Sequence, residues 1–257
     1  VWALSAWNIY LATGDMDWLQ KAYDIIGRSL EADFVVVYNP QTGLFRGESS
    51  FIDWREQSYP VWAQPADIYM SECLGTNAAY YGVLKVMEDM ATVLGKKKDV
   101  KKYGQKAEAL KKAINDNFWV EEDGYYASYL YGRQNLTRTQ QSETLGESFC
   151  VLFGIADEER AAKVISSMPV GEFGPPIFSP QIVLQPDYHN NGVWPYVTSF
   201  WGKAAAKVGN ETALMHALAC NVRTASIYAT NYENYSFNTG NPYTTQINSP
   251  NMLWGLS

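Results

Sequence analysis

Hydrophobic positions recur every three or four residues along most of the chain, and this spacing predicts amphipathic α-helices. The clearest case is the segment around residues 96–118, where a lysine-rich polar face alternates with an apolar face. The four apolar rows of this kind are Leu19, Tyr23, Ile26, Leu30 and Phe34; Tyr80, Leu84, Met87, Ala91 and Leu94; Tyr103, Ala107, Leu110, Ile114 and Phe118; and Leu214, Leu218, Val222 and Ala225. We expect each row to be the buried face of a helix.

Gly, Asp and Asn residues between the apolar segments mark helix ends and starts, and they divide the chain into nine predicted helices. The predicted regions are 1–12, 17–37, 68–95, 99–118, 141–155, 157–168, 194–208, 211–228 and 247–256. Short turns, such as "TGDMDW", alternate with long loops that are rich in aromatic residues, Gly and Pro. The long loops cover 38–67, 119–140, 169–193 and 229–246, and "GYYASYL" at 124–130 adds a short β-hairpin to one of them.

Alternating short and long links are produced by a series of helical hairpins, which places every long loop at the same end. We therefore predict an all-α toroid of helical hairpins that forms one domain over residues 1–257. Long loops in a compact domain usually carry function, so the site is expected at the long-loop end. The sequence begins and stops within a helical pattern, which suggests a fragment of a longer chain. A periplasmic or secreted location is compatible with it.

Composition and charge disfavour several classes of function. The chain is 47% hydrophobic and 18% charged, as in folded proteins, and its net charge of -7 without a basic stripe argues against nucleic-acid binding. Three widely spaced cysteines and two histidines offer no metal-binding motif, so we expect neither a metal nor another cofactor. No apolar run approaches the roughly 20 residues that span a bilayer, so no membrane partner is expected.

Aromatic residues are unusually frequent, with 18 tyrosines and 9 tryptophans, and many lie in the polar loops. Amphipathic rings in clefts suit stacking on sugar rings, although they also serve ordinary packing. The first long loop, "GLFRGESSFIDWREQSYPVW" (43–62), places Asp53 and Arg55 among such rings. A carboxyl group beside large apolar rings has a raised pKa, which suits a general acid. Alternatively, Asp53 caps the next helix or pairs with Arg55.

Two further loops carry candidate chemistry. "QPDYHNNGVWPYVTSFWG" (185–202) presents a row of donors and acceptors that could bind sugar hydroxyls, or could simply cap the helix that opens at Pro195. "YATNYENYSFNTG" (228–240) contains the carboxylate Glu233. If the hairpins close into a ring, Glu233 and Asp53 lie at the same mouth. Two carboxylates across an aromatic cleft are what glycosidic hydrolysis needs. A serine nucleophile is disfavoured because the chain lacks a GxSxG elbow.

Several motifs, in this order along nearly the whole chain, resemble those of the six-hairpin, (α/α)6-barrel glycosidases. They are "ESSFIDWRE", "TNAAYYGVLKVMEDMATVLG", "KYGQKAEALKKAINDNFWVEEDGYY", "DYHNNGVWPY" and "NYENYSFNTGNPYTTQINSPNMLWG". The closest resemblance is to glycoside hydrolase family 63, of the processing α-glucosidase type. Trehalases and the glucosidase domain of glycogen-debranching enzymes are more distantly similar.

The resemblance implies an inverting α-glucosidase acting on an oligosaccharide, with Asp53 as general acid and Glu233 as the general base that activates water. It also implies no metal. The residues that it assigns to the sugar site are Trp54, Arg55, Tyr188, His189, Asn191, Trp194 and Gln246. A complete barrel of this kind has twelve helices, so the first three would be missing here. We therefore expect missing N-terminal helices or a further domain to cover an apolar flank.

A second hypothesis is a catalytically silent carbohydrate-binding barrel, or a polysaccharide lyase on the same toroid. A lyase would use Arg55 to neutralise a uronic acid and His189 or a tyrosine as base. The acidic balance of the chain disfavours such polyanionic substrates.

Overall fold

The computed structural model describes residues 2–48, 59–182, 185–245 and 247–252. Nine helices lie in this part of the chain. They are α1 (Trp2–Thr13), α2 (Met16–Val36), α3 (Pro65–Met70), α4 (Leu74–Val93), α5 (Lys97–Phe118), α6 (Thr144–Leu152), α7 (Glu158–Ser167), α8 (Pro195–Lys207) and α9 (Glu211–Tyr228). None of them is long and apolar enough to cross a membrane.

Eight of the predicted helices are found, and the predicted all-α class is confirmed. The prediction of a helix over 247–256 is wrong for its described part, because residues 247–252 form bends and irregular chain. Their backbone and side chains bond instead to the loop around Glu233, for example Met252 N to the Asn231 carbonyl at 3.1 Å. The short helix α3 interrupts the first long loop and begins with a proline, which fits the first turn of a helix.

Eight of the helices form four hairpins, each made of an inner and an outer helix. The pairs α1–α2, α4–α5, α6–α7 and α8–α9 pack against each other, and the inner helices also contact one another in the order α1, α4, α6, α8. The inner helix α6 is therefore buried over almost its whole length, from Thr144 to Val151. In the described part of the chain the hairpins form an incomplete toroid.

The predicted buried face is confirmed for α5 in the second hairpin and is wrong for α9 in the last described hairpin. In α5, every member of the predicted row from Tyr103 to Phe118 is buried. In α9, however, Leu218 and Val222 are 52% and 65% exposed, and the buried face consists of small residues. These are Ala213, Ala217, Cys220 and Thr224. They let α9 approach α8 closely, since a Cβ on Gly202 would lie 2.9 Å from that of Ala217.

Short antiparallel ladders link the long loops to each other, which confirms that these loops share one end. The strands are β1 (Tyr38–Asn39), β2 (Leu44–Phe45), β3 (Glu72–Cys73), β4 (Trp119–Val120), β5 (Tyr125–Tyr126), β6 (Tyr129–Tyr131), β7 (Thr137–Arg138), β8 (Ser142–Glu143), β9 (Phe178–Ser179), β10 (Gly192–Val193) and β11 (Tyr235–Ser236). β3 pairs with β6, β8 with β9 and β10 with β11. In each case the strand before an inner helix pairs with the next long loop. The hairpin predicted at 124–130 is shifted towards the N-terminus: β4 pairs with β5 over residues 119–126, whereas β6 pairs with β3 and β7.

Candidate functional site

The last ladder brings two of the predicted site loops together. Gly192 pairs with Ser236 and Val193 with Tyr235. One residue before the ladder, the Asn191 carbonyl accepts a bond from Phe237 N at 2.8 Å. The five described residues of the predicted site lie in these two loops, which meet at the long-loop end: Tyr188, His189, Asn191, Trp194 and Glu233.

The loop before α8 makes a tight turn that only particular residues allow. A Cβ on Gly192 would lie 1.8 Å from the Tyr188 carbonyl oxygen, so only glycine fits there. Asn191 adopts a left-handed conformation with φ of 52°, which asparagine tolerates better than most residues. The Asn190 side chain accepts from Ile182 N and donates to the Gln185 carbonyl, which fixes the incoming chain. These bonds attach the loop before α8 to the chain that leads into it.

Tyr188, His189 and Trp194 form one aromatic cluster. The ring centroids of His189 and Trp194 are 5.3 Å apart in a stacked arrangement, and Trp194 Nε1 donates to the Tyr188 carbonyl at 3.1 Å. His189 and Trp194 are each only 1% exposed, whereas Tyr188 and Asn191 are half-buried. Burial lowers the pKa of His189 to about 3, so its imidazole is neutral at physiological pH. The buried rings of His189 and Trp194 thus pack against the more accessible ring of Tyr188.

Glu233 lies in a loop that the following segment holds in place. Its backbone N–H donates to the Ser249 carbonyl at 3.0 Å, and the next residue, Asn234, is fully buried. Asn248 bonds both to Asn234 N and to the Asn234 carbonyl, at 3.2 and 2.7 Å. Glu233 itself is half-buried. The carboxylate is therefore placed on a fixed backbone with partial access to solvent, as a base that must meet water requires.

Four tyrosines surround the Glu233 loop. Tyr228 stacks on Tyr235 with ring centroids 5.7 Å apart, and the hydroxyl of Tyr235 accepts a bond from Tyr232 N at 3.1 Å. The hydroxyls of Tyr232 and Tyr243 are 3.0 Å apart. These contacts explain the aromatic and polar composition of "YATNYENYSFNTG": the tyrosines fix the shape of a non-helical loop.

Asp53, Trp54, Arg55 and Gln246 lie outside the described residues. The two flanks of the segment that holds Asp53 are described, and both are attached to the start of α4. On one side, the Glu48 carbonyl accepts a bond from Thr76 Oγ1 at 2.6 Å. On the other side, the hydroxyl of the buried Tyr59 lies 3.4 Å from Cys73 Sγ. Glu48 and Tyr59, the described residues on either side of this segment, therefore both lie at the long-loop end.

Buried glutamates at the starts of the inner helices were missed by the sequence reasoning. Glu72, Glu143 and Glu147 are all at most 1% exposed. The similar segments "SECLG" at 71–75 and "SETLG" at 142–146 were a signal, although in the structure they lie one residue out of register with each other. Burial raises the pKa of Glu147 well above its usual range, and the nearby Glu143 adds to this rise. Glu72 accepts bonds from Asn39 Nδ2 and Thr42 Oγ1, so at least that carboxyl is structural.

Within the described ranges, no group of three or more His, Cys, Asp and Glu side chains is arranged to hold a metal ion. The groups that this end of the molecule brings together are carboxylates, tyrosines, amides and one neutral imidazole. Such a set can transfer protons and bind hydroxyl groups.

Comparison with known proteins decides the family. The sequence model of the bacterial α-L-rhamnosidase six-hairpin glycosidase domain matches residues 1–170, about two thirds of the chain. The chain belongs to this family. The six-hairpin glycosidase family accounts for the row of helical hairpins and for the concentration of aromatic loops at one end. The narrower resemblance to the α-glucosidases of family 63 is not confirmed by this match.

Solved structures share the fold of this six-hairpin domain. A family 78 rhamnosidase of Bacillus sp. GL1 superposes with a TM-score of 0.71 at 21% identity, over 99% of this chain and 24% of that one. A sialidase superposes with a TM-score of 0.72 at 14% identity, over 93% of this chain and 23% of that one. The chain thus spans about a quarter of the length of these structures. A comparison with curated protein sequences gave no significant match.

Proposed function

We propose that this domain is an inverting glycoside hydrolase with Glu233 as general base and Asp53 as general acid. Glu233 takes a proton from a water molecule, whose oxygen attacks the anomeric carbon. Asp53 gives a proton to the glycosidic oxygen as the bond to the leaving group breaks. Inversion requires the two carboxyl groups to be about 6.5–9.5 Å apart, so that the water fits between Glu233 and the sugar.

One observation carries the assignment of Glu233. It is a partly accessible carboxylate on a backbone that is fixed by hydrogen bonds, in a long loop that a ladder joins to the aromatic cluster. The family match supports the hydrolytic chemistry. The attachment of both flanks of the Asp53 segment to the start of α4 supports its place at the same end.

The sugar in this proposal lies between Glu233 and the loop before α8. Tyr188 and Asn191 have the accessibility to bind hydroxyl groups, while His189 and Trp194 hold the wall behind them. The neutral His189 keeps a fixed donor and acceptor pattern across the physiological pH range. Trp54, Arg55 and Gln246 complete the proposed set of sugar-binding residues.

For the substrate, we propose an α-L-rhamnoside first and an α-glucoside second. The matching family and one structural relative are named for rhamnosidases, which favours a 6-deoxy sugar. The ordered motifs are the reason to retain the α-glucoside. Both substrates fit the same two-carboxylate chemistry, and the difference between them lies in the hydroxyl-binding residues.

A substrate panel with two variants tests this proposal. p-Nitrophenyl glycosides of α-L-rhamnose, α-D-glucose and their β-anomers are offered to the wild type and to the variants Asp53→Asn and Glu233→Gln. We expect turnover of one α-glycoside by the wild type, and a loss of at least about a hundredfold in each variant with an unchanged circular dichroism spectrum. Binding of the sugars without turnover by the wild type would favour a silent binding barrel instead.

We also propose that a further helical element covers the exposed face of α9. Met215, Leu218 and Val222 form an apolar row that is more than half exposed. The family domain is named for six hairpins, whereas four lie in the described part of this chain. A further hairpin is the occupant that continues the row of hairpins, because it would bury the face of α9 that the sequence pattern marks as internal.

A further inference from the structure

Two aromatic rings from different long loops meet on the surface at the long-loop end. Trp62 belongs to the first long loop and Tyr131 to the second, and their ring centroids are 5.7 Å apart. Trp62 remains 55% exposed despite this contact, and Tyr131 is half-buried. An exposed tryptophan that is already held by a second ring is a preformed surface for a flat apolar ligand face.

The pair rests on a small core of its own, which is separate from the main core. Tyr59, Ile68, Cys73 and Tyr129 are buried together, and Tyr131 packs against them. The ring of Tyr129 lies 5.1 Å from that of Tyr59. The surface pair is thus fixed from below by rings of the same two loops.

A polar frame beside the pair joins the two loops. Asp67 Oδ2 accepts a bond from Gln64 N in the capping box that starts α3. The other oxygen of Asp67 accepts from Arg133 Nε at 2.6 Å. These bonds hold the pKa of Asp67 below its usual range. The terminal guanidinium nitrogens of Arg133 donate no hydrogen bond within the described ranges, so they are available to a ligand.

This combination suits a sugar ring. The C–H face of a sugar stacks on an aromatic ring, while neighbouring charged or amide groups bind its hydroxyls. The ring pair belongs to the long loop that also carries Asp53, and Tyr59 beneath it contacts Cys73 at the start of α4. We therefore assign the pair to the side of the proposed acid, which is the leaving-group side. A general acid acts on the oxygen that joins the two sugars, so the sugar beyond that oxygen lies on the side of the acid.

We propose that Trp62 and Tyr131 form a stacking platform for the sugar unit on the leaving-group side of the scissile bond. The proposal rests on the proposed glycosidase function. It assigns the preferred substrate class as a di- or oligosaccharide, as opposed to a glycoside with a small leaving group.

The test compares two leaving groups in Trp62→Ala and in the wild type. The substrates are α-L-rhamnosyl and α-D-glucosyl fluorides, and the disaccharides in which each sugar is linked to glucose. Fluoride is too small to reach the platform. The comparison uses the sugar that the wild type hydrolyses. In Trp62→Ala we expect kcat/KM for the disaccharide to fall by about three- to tenfold, mostly through a higher KM, because a ring contact is lost. The value for the fluoride should not change. Trp62→Phe should restore most of the loss.

Tyr69→Ala is the matched control. Tyr69 is 51% exposed on the adjacent helix α3 and has no ring contact within the described part of the chain. Its variant should keep the wild-type ratio of the two kcat/KM values. An unchanged ratio in Trp62→Ala, or an equal loss in Tyr69→Ala, would overturn the platform. If the wild type hydrolyses neither fluorides nor disaccharides, it is the glycosidase function that fails.

Discussion

His189 shows how burial sets the chemistry of a single residue. The sequence offers it as a sugar-binding group, and in the structure it is enclosed between Tyr188 and Trp194. A histidine in this position resists protonation, because the charged imidazolium would lose its hydration. Its part in the site is then that of a neutral group with a fixed orientation.

A pH dependence of stability follows from this burial. In the unfolded chain His189 binds a proton below the ordinary histidine pKa of about 6.5, whereas in the folded chain burial lowers its pKa to about 3. Stability must therefore fall as the pH drops from about 6.5 towards 3. Between pH 7.5 and 5, His189 should contribute a loss of about 2 kcal/mol in the free energy of unfolding.

Urea unfolding of the wild type and of His189→Phe at both pH values measures this contribution. Phenylalanine keeps the ring contact with Trp194 and cannot titrate. We expect a smaller loss of stability on acidification in the variant than in the wild type. Equal losses in both proteins would mean that His189 is protonated in the folded state at pH 5.

At the scale of elements, the inner helices of two consecutive hairpins make the same hydrogen bond with different residues. In each, a side-chain oxygen in the first turn accepts from a backbone N–H of the preceding long loop. Leu74 N and Thr144 N, at the first positions of α4 and α6, each donate to the next long loop. Three residues further on, Asn77 Oδ1 accepts from Phe45 N at 2.7 Å, and Glu147 Oε1 accepts from Tyr126 N at 2.9 Å. Asn77 also donates to the Phe45 and Cys73 carbonyls. Glu147 thus occupies the place of a neutral amide.

Exchanging the two residue types tests this equivalence. Burial raises the pKa of Glu147 in the folded chain above its value in the unfolded chain, so stability falls as the pH rises above about 4.5. Glu147→Gln should remove that loss, so its gain in stability over the wild type should be larger at pH 8 than at pH 5.

Asn77→Asp is the reverse exchange. It should destabilise the protein by about 2–3 kcal/mol at pH 7, since it buries a carboxyl group where an amide bonded. Denaturant unfolding measures the free energy of unfolding of Glu147→Gln at pH 5 and 8, and that of Asn77→Asp at pH 7, each against the wild type. A gain for Glu147→Gln that is no larger at pH 8 than at pH 5 would contradict the raised pKa of Glu147.

At the scale of the whole molecule, the apolar row on α9 is a surface that the described part of the chain leaves uncovered. We expect the 257-residue chain to bind an apolar dye such as ANS at this face. Leu218→Lys with Val222→Lys should lower the dye fluorescence and any concentration-dependent association seen by light scattering. Ala162→Lys with Ser166→Lys adds the same two charges, also four residues apart, to exposed positions of another outer helix, α7, and should change neither. If the double variant binds the dye as the wild type does, the row is not an open interface.

Much of the fold could be predicted, because the inner and outer helices bury continuous faces that leave a 3.6-residue period in the sequence. The ladders could not, because strands of two residues such as β10 carry no period and form only when loops meet. The exposure of Leu218 was also hidden, since the pattern marks an apolar face and does not say what covers it.

The candidate site was predictable to the level of its loops. The ordered motifs indicated the loops of Tyr188 and Glu233, and the ladder between β10 and β11 brings them together. The burial of Trp194 and the raised pKa of Glu147 depend on contacts between distant segments, which the sequence does not display. Trp62 was recognised as aromatic, but its exposure beside Tyr131 depends on the fold.

The central claim is that water, activated by Glu233, displaces the leaving group in one step. Proton NMR of the reaction on the best α-glycoside, recorded before the product mutarotates, tests it most directly. We predict that the first anomeric signal to appear is that of the β-sugar, and that Glu233→Gln produces no such signal over the same time. A first product with the α-configuration would contradict the one-step mechanism and the role of Glu233 as the base.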